Sequence, residues 1–171
     1  MWKIVFAILK NTCYTKKRNR EMSNRVNVTN HLISQLKVIN GGVSPYDPSY
    51  TFSTDIHDNV YKYELFFDEI HDFPSLYVVS PIEDRQYHST DATNALIQTI
   101  IRIYLQSDDL ELAKENIIND IIHVIYNITI PDVNYQLQQI TIDSIAKDSG
   151  VMDPYGLVEV FLTIQLGLLN I

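Results

Sequence analysis

Apolar residues recur at helical spacing in two stretches of the chain. The first stretch predicts an amphipathic helix over residues 28–39, because its apolar side chains are three or four positions apart. A glycine pair at residues 41–42 follows it, as is typical of a helix end. The buried face of this helix is predicted to consist of Val28, Leu32, Leu36 and Ile39.

The second helical stretch runs from Leu110 to about Tyr126. A Ser-Asp-Asp run at residues 107–109 precedes it. Small polar side chains cap a helix start, and acidic side chains suit the positive end of the helix dipole. The apolar stripe of this helix is predicted to contain Leu110, Ala113, Ile117, Ile121 and Ile125, widened by Ile118 and Ile122.

Five further stretches have the composition or the alternation that predicts β-strands. They cover residues 60–67, 75–80, 95–106, 136–145 and 157–166. The strand at 95–106 is apolar on both faces, which favours a central position in a sheet. The turn-rich stretch at 43–59 is predicted to be a long loop, and residues 81–94 are predicted to be an extension plus a polar loop; both are long and polar enough to reach binding partners.

The order of these elements is helix, two or three strands, helix, two strands. Runs of strands separated by single helices predict an α+β fold. We expect a single mixed, mainly antiparallel sheet of about four to five strands, flanked by two main helices. The last strand is expected to pair with the sheet edge of a neighbouring copy.

Composition fits an ordinary globular chain of roughly one domain. The chain has 171 residues, of which 46% are hydrophobic and 20% charged. Its single cysteine, Cys13, excludes an internal disulfide and a multi-cysteine zinc site. The apolar run at residues 4–9 is too short to span a bilayer, so no membrane association is expected.

Charge divides the chain into a basic arm and an acidic body. The net charge is −8, yet residues 1–21 hold six basic residues and one acidic residue. Residues 22–171 hold seven basic and twenty acidic residues, so this body disfavours contact with nucleic-acid phosphates. We therefore divide the chain into a basic arm, residues 1–22, and an α+β domain, residues 23–171. The arm is either a translated extension or the result of a misassigned start upstream of Met22.

Sequence motifs give little support to catalysis. Phosphate-binding glycine loops, the GxSxG nucleophile motif and the HExxH metal motif are all absent from the sequence. The densest polar cluster contains Asp68, Glu69, His71 and Asp72. These side chains are either a divalent-cation site or a solvated turn, and the turn is favoured because no second cluster accompanies them. We expect no catalytic, metal-binding or cofactor-binding residues and no cofactor.

Several short motifs resemble one known family. Residues 68–74 read Asp-Glu-Ile-His-Asp-Phe-Pro, and residues 83–87 read Glu-Asp-Arg-Gln-Tyr before a long strand that ends at Tyr104. Residues 153–160, which begin Asp-Pro-Tyr-Gly, form a closing turn and strand. Over roughly residues 24–166 the chain resembles the tail terminator proteins of tailed phages, which are similar to the minor tail protein U of phage lambda.

The resemblance implies a non-enzymatic virion protein of the tail and neck, assembled in the host cytoplasm. It implies a hexameric ring that caps the tail tube, ends tube polymerisation and joins the tail to the head. The implied partners are other copies of the chain, the tail tube protein, a head completion protein and, in a contractile tail, the sheath protein, while DNA passes through without specific binding. The candidate interface residues are Asp68, Glu69, Phe73, Pro74, Glu83, Arg85, Tyr87 and Tyr155.

Two other functions remain open at this point. One is a small adaptor domain that binds a partner through exposed aromatic side chains. The other is a metal-dependent enzyme built on Asp68, Glu69, His71 and Asp72. Another neck or tail completion protein would share the element order of a tail terminator.

Overall fold

Five strands form one sheet in the computed structural model, which describes residues 25–56, 58–63, 67–87, 92–129, 135–148 and 154–169. The strands are β1 (Val60–Tyr61), β2 (Ser75–Tyr87), β3 (Ala92–Gln106), β4 (Tyr135–Lys147) and β5 (Tyr155–Leu169). Their order across the sheet is β1-β2-β3-β5-β4. β1 is parallel to β2 and every other pair is antiparallel. This confirms the predicted α+β fold with a mixed, mainly antiparallel sheet.

Two helices pack on one face of the sheet, as the sequence predicts. Helix α1 covers residues 25–36, and α2 spans Leu110–Asn127. Asp109 caps α2, because its carboxylate oxygen accepts a hydrogen bond from the amide of Leu112 at 3.2 Å. The four residues predicted to form the buried face of the first helix are fully buried, but α1 ends at residue 36 instead of the predicted 39, so Ile39 lies just beyond the turn that follows it. None of the described helices is long and apolar enough to cross a membrane.

Alternate side chains of the central strands form the core beneath the helices. This follows from the period of two, which sends successive side chains to opposite faces of the sheet. On β3 the helix-bearing face contains Ala95, Ile97, Thr99, Ile101, Ile103 and Leu105, and all of them are buried. On β5 the corresponding residues are Val158, Val160, Leu162, Ile164 and Leu166.

The opposite face of the sheet, here called the open face, carries half-exposed side chains. Ile100 of β3 and Phe161 of β5 lie side by side on it. Arg102 and Glu159 also face each other there, with Arg102 Nε 2.6 Å from Glu159 Oε1. β3 is therefore central, as predicted, yet the helices cover only one of its faces.

Three sequence-based expectations about the strands were wrong in part. Of the strand expected over residues 60–67, the described residues form a strand only at β1 and a 3-10 turn at residues 67–69, while residues 64–66 lie outside the described part of the chain. The segment at 81–94, expected to be an extension plus a polar loop, continues β2 to Tyr87 and begins β3 at Ala92, and residues 88–91 lie outside the described part. The last strand, β5, pairs with β3 on one side and β4 on the other, so its two edges are already used within the subunit.

Candidate functional site

Five aromatic rings gather at the end of the sheet where β2 and β5 begin. We call this the aromatic end. Tyr77 is fully buried there, between Tyr61 at 5.5 Å and Tyr104 at 5.6 Å between ring centroids. Phe73 and Tyr155 contact each other at 5.5 Å. The sequence singled out Phe73 and Tyr155 separately, and the fold brings them together.

The predicted residues Asp68, Glu69 and Pro74 lie beside the aromatic end. Asp68 and Glu69 are exposed in the 3-10 turn that precedes β2. Pro74 is half-buried and follows a cis peptide bond with Phe73. Five of the eight candidate interface residues therefore share one end of the sheet.

The other three candidates lie at the opposite end of β2, here called the charged end. Glu83 and Arg85 are adjacent on the same face of the strand, and Arg85 Nη2 is 2.8 Å from Glu83 Oε1. Tyr87 ends β2, and its side chain lies outside the described part of the chain. β2 has 13 residues. At about 3.3 Å per residue the two ends are about 40 Å apart.

A buried carboxylate on α2 orders the segment at residues 43–56. Asp120 is fully buried. Its carboxylate accepts hydrogen bonds from the Tyr50 hydroxyl at 2.8 Å and from the amides of Ser53 at 3.0 Å and Thr54 at 2.8 Å. Three donors offset the cost of removing the carboxylate from water. The segment predicted to be a long loop is thus a fixed part of the fold, with bridges between residues 40 and 55 and between 43 and 51.

Tyr50 and His123 form a stacked pair above this anchor. Their ring centroids are 3.8 Å apart and their planes differ by 4°. Burial, and then the hydrogen bond to Asp120, raises the pKa of the Tyr50 phenol to about 12. The pair lines a shallow groove of about 530 Å³ that also contains the exposed Tyr126.

His123, which lines the groove, contacts a buried serine outside it, but the two do not form a base and a nucleophile. His123 Nε2 lies 2.9 Å from the Ser44 hydroxyl. Ser44 is only 3% exposed, and its hydroxyl oxygen also accepts the amide of Tyr46 at 3.2 Å. A serine nucleophile must be reachable by substrate. The contact therefore fastens the loop to α2.

A buried lysine links α2 to the two strands at the far side of the sheet. The Lys114 side chain is fully buried, with its ammonium 2.8 Å from the Asp148 carboxylate and 3.1 Å from Glu111. The hydrogen bond with Asp148 is the largest contribution that raises the pKa of Lys114. Gly156 of β5 packs on the lysine stem, since a Cβ there would lie 2.9 Å from Lys114 Cε.

The metal hypothesis finds no support in the geometry. Across the described ranges, no three His, Cys, Asp or Glu side chains come together as ligands of a metal ion. These ranges include the four residues of the polar cluster, Asp68, Glu69, His71 and Asp72. Ile70 turns into the core between these polar neighbours.

Together, these features define a class: an α+β subunit with two helices on one face of a five-stranded sheet, and with separate surfaces at its two ends. The chain belongs to the family described as "Bacteriophage Tail Tube Terminator Protein", whose model matches residues 22–168. It is a structural protein of a phage tail. This confirms the family that the short motifs resemble.

Comparison with solved structures gives a distant likeness. One chain of "Virion of native gene transfer agent (GTA) particle" matches with 10% sequence identity and a TM-score of 0.48, covering 66% of this chain and 81% of that chain. No curated protein matches the chain. The assignment therefore rests on the family.

Proposed function

We propose that this chain assembles as a hexameric ring that caps the tail tube, ends tube polymerisation and joins the tail to the head or neck. The observation that carries the proposal is the family match over residues 22–168. The proposed partners are other copies of the chain, the tail tube protein and a head completion or neck protein. A contractile tail would add the sheath protein.

The separation of the two candidate surfaces supports this role. A subunit that joins a tube to a neck needs two binding surfaces that do not overlap. The aromatic end, with Phe73 and Tyr155, and the charged end, with Glu83 and Arg85, lie at opposite ends of β2. One subunit therefore has room for both partners at the same time.

The net negative charge of the chain supports the proposal that DNA passes through such a ring. The chain carries a net charge of −8, and its acidic excess lies in residues 22–171. An acidic channel wall makes no phosphate contacts that release counterions, so DNA gains no affinity for it. We propose that the ring assembles in the host cytoplasm and remains in the neck of the virion.

A tube-polymerisation assay tests the capping role. Purified tail tube protein is polymerised with and without this chain, and tube lengths are measured by negative-stain microscopy. Capping predicts shorter tubes, with a ring of density at one end and none along the wall. Tubes of unchanged length with bare ends would contradict the proposal.

Paired variants at the two ends assign the surfaces. The double variant Asp68→Ala and Glu69→Ala changes exposed side chains beside the aromatic end. Its match, Glu83→Ala and Arg85→Ala, removes one ion pair at the charged end. We expect both variants to form rings, because alanine keeps the backbone groups through which strands pair. One of the two variants should lose tube capping, and the other should lose only attachment to the neck. Full activity of both variants in both assays would show that neither end is a binding surface.

A further inference from the structure

Within the described residues, the sheet has two edges whose outer side pairs with no further strand along most of its length. In the described part of the chain, β4 pairs with β5 on one side and with no strand on its outer side. β1 pairs with β2 only at Leu76 and Tyr77, so the outer edge of β2 beyond these residues meets no described strand. Unpaired strand edges expose backbone donors and acceptors that readily pair with another chain.

The two edges run in opposite directions. β2 is antiparallel to β3, β3 to β5 and β5 to β4, so β4 is antiparallel to β2 within one sheet. Placing a second copy beside the first in the same orientation therefore brings its β2 antiparallel to the β4 of the first. Antiparallel strands form the more stable of the two ladder types.

The strand register shows which parts of the edges would meet. One row of paired residues crosses the open face, from Asp84 on β2 through Leu96 on β3 and Gln165 on β5 to Gln139 on β4. It follows that residues 82–86 of β2 lie level with residues 136–141 of β4, where the bulge at Gln138 adds one residue, and that Tyr87 lies level with Tyr135. β1 occupies the β2 edge at the opposite end, which leaves only this half of β2 accessible.

Both edges are polar and contain bulges, which favours pairing with one matching strand over pairing with any exposed strand. β2 has a register shift between Val79 and Ile82, with Pro81 inside it. β4 has shifts next to Gln138 and Asp143. Bulges and proline discourage indiscriminate edge pairing, so a partner must have a matching strand.

We propose that residues 136–141 of β4 pair antiparallel with residues 82–86 of β2 in the next subunit, so that one sheet continues from copy to copy. The inference rests on the proposed ring and names the surfaces that close it. A ring joined head to tail needs two different complementary surfaces on each subunit. The β4 edge and the second half of the β2 edge are such a pair.

Disulfide cross-linking tests the pairing directly. In the full-length chain with Cys13→Ser, Asp84→Cys is combined with Gln139→Cys. Directly opposed residues of an antiparallel pair have Cα atoms about 4.5–5.5 Å apart, within the range that a disulfide spans. Two further double variants allow for a shift in register between subunits. They combine Asp84→Cys with Gln136→Cys or with Thr141→Cys. Ala146→Cys with Asp84→Cys is the matched control, because Ala146 is exposed on the same face of β4 about 20 Å further along the strand.

The possible outcomes test the edge pairing and the proposed ring separately. We expect oxidised rings to give a ladder of covalent oligomers on non-reducing gels, several-fold stronger than the control, for at least one of the three pairs. Covalent dimers from Gln139→Cys alone would indicate β4 paired with β4 and would overturn the proposal. Rings that cap tubes without a cross-link would overturn the edge pairing and leave the proposed function intact, whereas absence of both rings and capping would overturn the two together.

Discussion

The Lys114 ammonium of α2 lies 2.8 Å from the Asp148 carboxylate just beyond β4, with the lysine side chain fully buried. It also donates to the Asp148 carbonyl oxygen at 3.3 Å. The contact ties the helix to the end of an outer strand, 34 positions away in sequence. A buried ammonium without its carboxylate is costly, so this pair fixes how α2 lies against β4.

Removing the Asp148 charge should destabilise the subunit. We expect Asp148→Asn to lower the free energy of unfolding by about 2 to 3 kcal/mol, below the range for a fully buried pair because Asp148 is partly exposed. Glu111→Gln is the control, since the Glu111 side chain is 72% exposed and its interaction with Lys114 is screened by water. Urea denaturation of both variants measures the difference. Equal effects of the two substitutions would show that Asp148 has no special role.

Substitution by alanine should affect the stability of the subunit differently at the two glycines of β5. At Gly156 a new Cβ would lie 2.9 Å from the buried Lys114 stem and 3.1 Å from Leu110 Cδ2. At Gly167 it would lie 2.7 Å from the amide nitrogen of Gln138, an exposed side chain that can move away at the loss of one exposed hydrogen bond from Gln165. We expect Gly156→Ala to cost about 1 to 3 kcal/mol through overpacking, and Gly167→Ala to be tolerated. Thermal unfolding of the two variants checks this, and a neutral Gly156→Ala would contradict the close packing of β5 on Lys114.

The Asp120 anchor should control the order of residues 43–56. Asp120→Ala leaves two backbone amides and the Tyr50 hydroxyl without their acceptor, which should cost about 3 kcal/mol. Hydrogen exchange should show lost protection at Ser53 and Thr54. Asp47→Asn is the control, because Asp47 is in the same segment and, among the described residues, its carboxylate accepts hydrogen bonds only from Ser49. Retained protection at Ser53 and Thr54 in Asp120→Ala would show that other contacts hold the segment.

Tyr50 should make the subunit sensitive to alkaline pH. Its phenol has a pKa of about 12 when folded, against 10.0 for an ordinary tyrosine. Between these two values the unfolded chain loses this proton more readily than the folded chain, so stability present below pH 10 is lost as pH rises toward 12. Tyr50→Phe should lose less stability than the native chain over that interval. Tyrosinate absorbance should show one tyrosine that titrates near pH 12 only in the native chain, and identical titrations would contradict the assignment.

Periodicity predicted the helices well because their packing is local in sequence. Val28, Leu32, Leu36 and Ile39 are all fully buried. The second helix, predicted from Leu110 to about Tyr126, ends one residue later. Spacing of three and four residues places apolar side chains on one face whatever the rest of the chain does.

The buried charges of α2 were missed because their partners are distant in sequence. Lys114 lies on the same helical stripe as Ile117 and Ile121, which is the one sequence signal of its burial. Asp120 likewise falls beside Ile117 and Val124. Helical spacing gives no indication of Tyr50 or Asp148, which only the tertiary fold brings into contact.

The extent of β2 was missed because its second half is polar. Pro81 and the charged residues after it are typical of a loop. An edge strand tolerates both, because its outer backbone groups need no partner in the subunit and its side chains face water. The candidate site was half predictable for the same reason: motifs selected the candidate residues, but only the fold shows that they lie at opposite ends of β2.

Imaging of the chain together with tail tubes tests the central claim most directly. Class averages of tube ends should show a closed ring with sixfold symmetry at one end of each tube, and native mass spectrometry of the released cap should give a mass of six chains. A chain that stays monomeric in the presence of tube ends, or that coats the tube wall instead of its end, would contradict the account.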